Sequence, residues 1–449
     1  MKIQAPPGMR DFYPEDMRRQ NWLFDLWRRV SRSFGFSEYE GPIFEFLDLY
    51  RLKSGDEIVG QLYHVRHGKT DEAQFAIRPE MTPTLARMVA ARANALPRPI
   101  KWFSIPRMCR SERQQRGRLR EFFQWNADIL GVDDPVADAE VIALAAESLR
   151  AAGLGESEVV VRINHRRMAT AVLAGLGIEP GSAGRAFQLI DRLDKLPVEE
   201  FDRQWTEAFG AVVAAADLRS LVATSELRWE EALARPLELA ASGNARNPEV
   251  GWDAAAEEAF RATFARLDEF GVGGFVRFDA GVVRGIAYYT GVVFETYMRT
   301  GSLRALQGGG RYDDLTSLLG GPKLPGIGFG MGDAPLLAAL EELKRLPATA
   351  ETLDVFLIDA DAALFSDLLR LAGALRAAGL CVDFSYKRQA VGKQFKQASD
   401  RRARLAVVLG QEFAAGRVAV KDLASGAQAD AEVAGLAGRL MSQLGRAGG

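Results

Sequence analysis

The residues best suited to chemistry fall between Cys109 and Asp128, CRSERQQRGRLREFFQWNAD. Five arginines, Arg110, Arg113, Arg116, Arg118 and Arg120, lie within eleven residues, and the run passes without a break into an aromatic-rich alternation. Read with a period of two, one face collects Leu119, Phe123, Trp125, Ala127 and Ile129, with Glu121 as its charged exception. The other collects Arg118, Arg120, Phe122, Gln124, Asn126 and Asp128. A solvated basic hairpin would give the same charge pattern. Against it stands the mixture of positive charge, an aromatic ring and oriented polar groups, which suits a ligand better than bulk water.

Three further stretches carry candidate groups. In Arg78-Pro79-Glu80-Met81-Thr82-Pro83, Glu80 falls where a strand hands over to a helix, a common place for ligand groups; capping of that helix by Glu80 or Thr82 is the alternative. From Asp279 to Gly291, Arg284, Tyr288 and Tyr289 are framed by glycines, which permit sharp backbone and close ligand approach, while tyrosine hydroxyls orient a polar substrate. A bent strand with tyrosines partly in the core is the plainer reading. Then come Gly308-Gly309-Gly310-Arg311-Tyr312-Asp313 and Gly326-Ile327-Gly328-Phe329-Gly330-Met331-Gly332. In the second, glycine at alternate positions strips one strand face of side chains, leaving room for a flat ligand. Asp333 suits the cap of the following helix and Pro335 its first turn. No Gly-Lys-Ser/Thr ends the run and no dinucleotide fingerprint precedes it, so phosphate-loop and Rossmann chemistry are excluded.

Cysteine and histidine chemistry is thin. Cys109 and Cys381 offer neither a disulfide framework nor a ligand pair, and a reducing compartment is expected. His64, His67 and His165 share no metal-ligand spacing; His64 and His67 read as loop residues, and no metal site is predicted.

The elements that position these groups follow from pattern. Pro14 opens a helix with Leu23, Leu26, Trp27, Val30 and Phe34 on one stripe, ending near Gly35. Tyr39 to Leu47 reads as one strand broken at Gly41-Pro42 and therefore placed at an edge. Gln74 to Arg78 is a short strand, and a helix starts at Thr82 or Pro83. Lys101 to Arg110 supplies an antiparallel partner for the arginine-rich strand through a loop at Ser111 to Gly117. Pro135 to Ala152 is helical and Val159 to Ile163 a strand. From His165 to about Phe270 the signal is almost wholly helical, a module set between two parts of a β-rich core. Strands return at Phe275 to Phe278 and Val292 to Tyr297. Beyond a linker at Arg345 to Asp354, strands and helices alternate as a small α/β domain with mainly parallel pairing. Between Lys387 and Arg404 that domain gathers seven cations against Asp400, a patch that suits a phosphate backbone or serves as a solubility face.

At 449 residues the chain is too long for one core. A formal charge of −2 excludes a generally basic nucleic-acid coat, so any such contact comes from local patches. The N-terminus lacks a signal-like apolar core and no run approaches a membrane span, so a soluble cytoplasmic protein is expected.

Taken in order, Pro-Pro-Gly-Met-Arg-Asp at 6–11, Arg-Pro-Glu at 78–80, CRSERxxxGRxREFFQ at 109–124, Val-Arg-Gly-Ile-Ala-Tyr-Tyr-Thr-Gly at 283–291, Gly-Gly-Arg-Tyr-Asp at 309–313 and the block from Val391 resemble the histidyl-tRNA synthetase family of class II aminoacyl-tRNA synthetases. The resemblance covers nearly the whole chain. It implies an α+β fold: a class II antiparallel-sheet catalytic core in two parts (1–164 and 271–346), a helical insertion (165–270) and a C-terminal α/β anticodon-binding domain (353–449). It implies that L-histidine, ATP and histidine tRNA are the partners, with Mg2+ bound through the ATP phosphates, and that the chain is a homodimer. Catalysis then rests on positioning and on cations that bear growing phosphate charge, so arginines replace any protein nucleophile.

By the same resemblance Arg110 and Arg284 are the catalytic pair on the α-phosphate. Glu112 reads the adenine amino group, Phe122 stacks on its ring and Arg118 meets the outer phosphates. Glu80, Thr82, Gln124 and Asp128, with Arg110 and Arg284, hold histidine, and Tyr288 and Tyr289 close on its imidazole. Gln115 and Arg116 touch the acceptor end of the tRNA, while Lys393 and Lys396 serve the anticodon-binding domain. Two positions depart from the family pattern: Pro335 stands where motif 3 carries an arginine, and Ala287 where an aspartate precedes the tyrosines. Arg311 or Arg116 is expected to substitute for the first. A branch that includes plant organellar members is similar at both places. The competing reading is a catalytically silent relative, either a regulatory subunit of ATP phosphoribosyltransferase type or a tRNA-binding regulator.

Overall fold

The computed structural model describes residues 3–51, 60–66, 74–112, 117, 119–193, 196–210, 212–222, 254–283, 288–348, 353–387 and 389–446. Two compact units emerge, Met1–Tyr13 with Arg19–Pro347 and Pro14–Arg18 with Ala348–Gly449.

The larger unit is built on a mostly antiparallel sheet. Its strands, numbered along the chain, are β1 (Ser37–Glu38), β5 (Ile100–Ser104), β6 (Arg107–Cys109), β7 (Glu121–Leu130), β8 (Val159–His165), β9 (Val276–Phe278), β10 (Val292–Met298), β11 (Gln307–Arg311) and β12 (Gly326–Gly332). Their order is β1-β5-β7-β12-β11-β10-β8-β9, with β6 paired to β7. The pairs within the run from β5 to β8 are antiparallel and the two outermost, β1 with β5 and β8 with β9, are parallel. A separate three-stranded sheet holds β2 (Phe44–Phe46), β4 (Phe75–Ile77) and β3 (Tyr63–Val65), in that order.

The large sheet is built on the side-chain alternation of its central strands, of which β7 is buried throughout from Trp125 to Leu130. The odd residues Trp125, Ala127 and Ile129 of β7 pack with Phe329 and Met331 of β12 against the helix Pro135–Ala151, in one continuous apolar core. Asp134 caps that helix through Val136 N at 2.8 Å. The helix Pro14–Ser33 closes the core with Leu23, Leu26 and Trp27, its Trp27 ring stacked 5.9 Å from Trp125. Gly35, with φ +77°, ends the turn that follows it. A second apolar cluster unites the helices Ala183–Ile190 and Val198–Phe209 around Phe187, Phe201 and Trp205.

Several elements differ from their sequence expectation. Tyr39 to Leu47 is not one interrupted strand: β1 ends at Glu38 in the large sheet, and β2 belongs to the small one. The Gly41-Pro42 break thus separates two sheets. The strand expected over Lys101–Arg110 divides into β5 and β6, and Pro106 between them accepts from Gln124 N at 3.1 Å. His64 sits on β3, while His67 lies outside the described residues.

The smaller unit contains β13 (Leu353–Asp359), β14 (Val382–Phe384), β15 (Ala403–Leu409), β16 (Arg417–Asp422) and β17 (Gln428–Glu432), ordered β14-β13-β15-β16-β17. The first three pair in parallel, but β16 and β17 are antiparallel, so the predicted mainly parallel sheet is half of each. Helices Phe365–Ala377 and Leu436–Gln443 cover an apolar cluster around Val355, Leu357 and Val407.

Candidate active site

A cavity of about 830 Å³ opens over the polar face of β7 and the glycine strand β12. Of the residues singled out from sequence, Glu80, Thr82, Arg110, Glu112, Phe122, Gln124, Tyr288 and Tyr289 all line it. Strand geometry accounts for the gathering. Gln124 stands opposite Gly332, Asn126 opposite Gly330 and Asp128 opposite Gly328, so the even face of β7 looks over a strand with little of its own to obstruct it.

Arg110 is held at the mouth of the hairpin. Its Nε donates to the Pro79 carbonyl at 2.8 Å, its guanidinium lies 5.5 Å from the Phe122 ring centroid, and Glu112 is 4.0 Å away. These contacts orient the planar head on the cavity wall. Glu80 receives a hydrogen bond from the Tyr288 hydroxyl at 3.2 Å, and Tyr288 packs edge-on against both Tyr289 and Tyr312. The helix Thr82–Arg92 has Met81 at its N-cap, which makes no side-chain cap bond, and Glu80 just before it lines the cavity.

Two predicted residues are not brought to the wall. Asp128 is fully buried behind Tyr312, whose hydroxyl donates to its Oδ1 at 2.6 Å. Burial pushes this carboxyl up to about 7, against the lowering pull of the Tyr312 bond. Arg311, expected to replace the motif 3 arginine, is also buried: its Nε donates to Asp138 at 2.9 Å and its Nη1 lies 3.4 Å from Asp313. Its guanidinium is engaged by these acceptors in the core, away from the cavity wall. Arg284, Gln115, Arg116, Arg118 and Ala287 lie outside the described residues. Lys393 and Lys396 are exposed on the helix Val391–Asp400 of the smaller unit.

Gly328, Gly330 and Gly332 of β12 line the cavity and also make room for neighbouring side chains. A Cβ at Gly328 would sit 1.8 Å from Asp128 Oδ1, one at Gly330 2.7 Å from the Gln124 amide, and one at Gly326 2.6 Å from the Tyr312 ring. Tyr312 is the residue that sequence reading passed over; its place beside Arg311 in a Gly-Gly-Arg-Tyr-Asp run gave no sign that its hydroxyl turns inward. Asp333 opens its helix, and its buried carboxylate accepts from the backbone of Ala334 in the first turn as well as from Arg10 Nη2 at 2.6 Å and from Phe123 N at 3.1 Å, tying the N-terminal segment and β7 to the start of that helix.

Residues 8–336 match the family described as histidyl-tRNA synthetase. The chain belongs to that family. Residues 354–443 match a second family, the anticodon binding domain. Among curated relatives, the chain is 41% identical over 433 residues to a histidine–tRNA ligase of Opitutus terrae, covering 95% of each. It is 35% identical over 427 residues to the chloroplastic/mitochondrial histidine–tRNA ligase of Arabidopsis thaliana, covering 95% of this chain and 84% of that protein. Among solved structures, histidyl-tRNA synthetase from Nostoc sp. PCC 7120 superposes with a TM-score of 0.78 at 25% identity, spanning 99% of this chain and all of the other. The sheet and cavity described above are therefore those of a class II synthetase core.

Proposed function

We propose that this chain joins L-histidine to histidine tRNA in two steps at this cavity. The histidine carboxylate attacks the α-phosphorus of ATP; an oxygen–phosphorus bond forms, the bond to the β-phosphate breaks, and pyrophosphate leaves. A hydroxyl of the tRNA's terminal adenosine then attacks the acyl carbon of histidyl-adenylate, and AMP leaves. The observation that carries the reading is the union of Arg110, Glu112 and Phe122 with Glu80, Gln124 and Tyr288 around one cavity, in a chain of this family.

In this reading Arg110 spans the α-phosphate and the substrate carboxylate, and Arg284 opposes it. Both stabilise charge that grows in the transition state. Phe122 stacks on adenine, Glu112 accepts from its amino group, and Arg118 meets the outer phosphates, to which Mg2+ comes as part of the substrate complex. Glu80, Thr82 and Gln124 hold the α-amino group. Tyr288 and Tyr289 flank the imidazole, and Asp128 acts through Tyr312 by fixing its hydroxyl. Gln115 and Arg116 belong to the tRNA acceptor contact, and Lys393 and Lys396 to the tRNA surface of the anticodon-binding domain. The core comprises 1–164 and 271–346, the insertion 165–270 and the anticodon domain 353–449. The chain works as a cytoplasmic homodimer. No helix among the described residues is long and apolar enough to cross a membrane.

The silent-paralogue reading is disfavoured by the anticodon-binding match and by the charged groups retained on the wall. Histidine-dependent exchange of pyrophosphate into ATP, followed by charging of histidine tRNA, is the expected result. A pure, folded protein that performs neither would refute the assignment.

A further inference from the structure

The triphosphate of ATP carries several negative charges, and the cavity must meet its outer end with a cation. Where β12 passes into the helix Asp333–Glu342, the wall is Gly332, Ala334 and Pro335, none of them charged. The nearby acid, Asp333, is already matched by Arg10. Pro335 lies against the arginine-rich loop: a Cβ on Gly117 would be 3.5 Å from its Cα.

The strand register identifies what faces this end from the far side. In β11 and β12, Gln307 is opposite Met331 and Gly308 opposite Gly330. Arg304 precedes Gln307 by three residues, so its turn stands at the end of the sheet where β12 finishes at Gly332. The β7 register, with Gln124 opposite Gly332, puts Phe122 at that same end. Phe122, Ala334 and Arg304 all line the one cavity there. Arg304 belongs to the turn joining β10 to β11, is exposed, and lines the same cavity.

Its company sets it apart from the other described arginines on that wall. Arg110 is held by the Pro79 carbonyl, Arg162 pairs with Asp279 at 3.2 Å, and Arg299 donates to the Glu156 carbonyl at 2.7 Å. Arg304 has no ion pair or side-chain hydrogen bond among the described residues. We propose that Arg304 is a second cation on the outer phosphates of ATP, acting beside Arg118 across the cavity from a base stacked on Phe122. The inference rests on the reading of this cavity as the ATP site. It also means that the charge missing at position 335 is supplied from the neighbouring hairpin, and not from Arg311.

The test compares nucleotides that differ only in those phosphates. Equilibrium binding of ATP and of AMP, each with magnesium, is measured for the full-length chain and for its Arg304→Ala and Arg304→Lys variants, alongside the KM for ATP in histidine-dependent pyrophosphate exchange. Arg304→Ala is expected to weaken ATP at least tenfold while AMP stays within twofold, with Arg304→Lys recovering part of the loss and the KM for histidine unmoved. Unchanged ATP binding, or equal losses for ATP and AMP, would overturn the proposal. Should the unaltered chain catalyse no exchange, the synthetase assignment falls by itself, and the ATP-to-AMP binding ratio still decides the role of Arg304.

Discussion

Arg110 and Arg311 belong to the same unit, yet their surroundings are opposite. Arg110 keeps 25% of its side chain exposed on the cavity wall, braced by a backbone carbonyl and an aromatic ring. Arg311 is 8% exposed and is held by Asp138, Asp313 and the carbonyls of Val132 and Asp134. Burial disfavours its charge, but the two carboxylates reverse that and hold its pKa above the usual arginine range. Asp138 is pushed the other way: burial raises it to about 6 although Arg311 pulls it down. An arginine on a cavity wall can meet a substrate's charge; one buried among the protein's own acceptors holds the protein together.

Substituting each arginine should therefore damage a different property. Arg110→Ala is expected to lower histidine-dependent pyrophosphate exchange by roughly 10²–10³-fold, the cost of removing one preorganised donor from a developing charge. The same change should move stability by only about 1 kcal/mol, since the Glu112 carboxylate it releases lies at the long distance of 4.0 Å on the cavity wall. If exchange survives within tenfold, Arg110 is no more catalytic than its neighbour.

Arg311→Ala should invert the result. It strands Asp138 in the core, and breaking one side of a buried pair costs about 3–5 kcal/mol. Denaturant unfolding should shift accordingly, and the residual folded fraction should retain a near-normal KM for ATP. A stable variant with a raised KM would return Arg311 to the substrate and erase the contrast.

Sequence pattern revealed some of this architecture and concealed the rest for physical reasons. The β7 alternation was legible because an aromatic core face and a polar face differ at every second residue, and Trp125, Ala127 and Ile129 are buried as that alternation requires. Strand β17, QADAE, was not: four of its five residues are exposed, so no apolar face marks it. Alternate glycines announced a missing Cβ without saying whose atoms would fill the gap, and those atoms belong to Asp128, Gln124 and Tyr312. The burial of Arg311 was concealed because its partner Asp138 is 173 residues away in sequence, on a helix whose apolar periodicity gave no hint of a buried acid.

Asp128 offers the finest test of the same contrast, because it is a buried carboxyl with no cation beside it. Its Oδ1 accepts from Tyr312, while Oδ2 is buried with no hydrogen-bond partner among the described residues. Its folded pKa, about 7, lies above the ordinary aspartate value of 3.8, so the fold favours the protonated form. Stability contributed by that preference is fully present below the unfolded pKa and is lost as pH rises from about 4 to about 7, after which the cost of the buried charge is constant. Asp128→Asn keeps an acceptor for Tyr312 and removes the titration. Denaturation midpoints of the two proteins should be close near pH 4 and diverge in favour of the variant by on the order of 1 kcal/mol by pH 7 to 8, the full burial penalty being blunted by relaxation and water entry. Curves that run parallel across that window would mean Asp128 is paired or hydrated after all, and that the distinction between answered and unanswered buried charge does not extend to it.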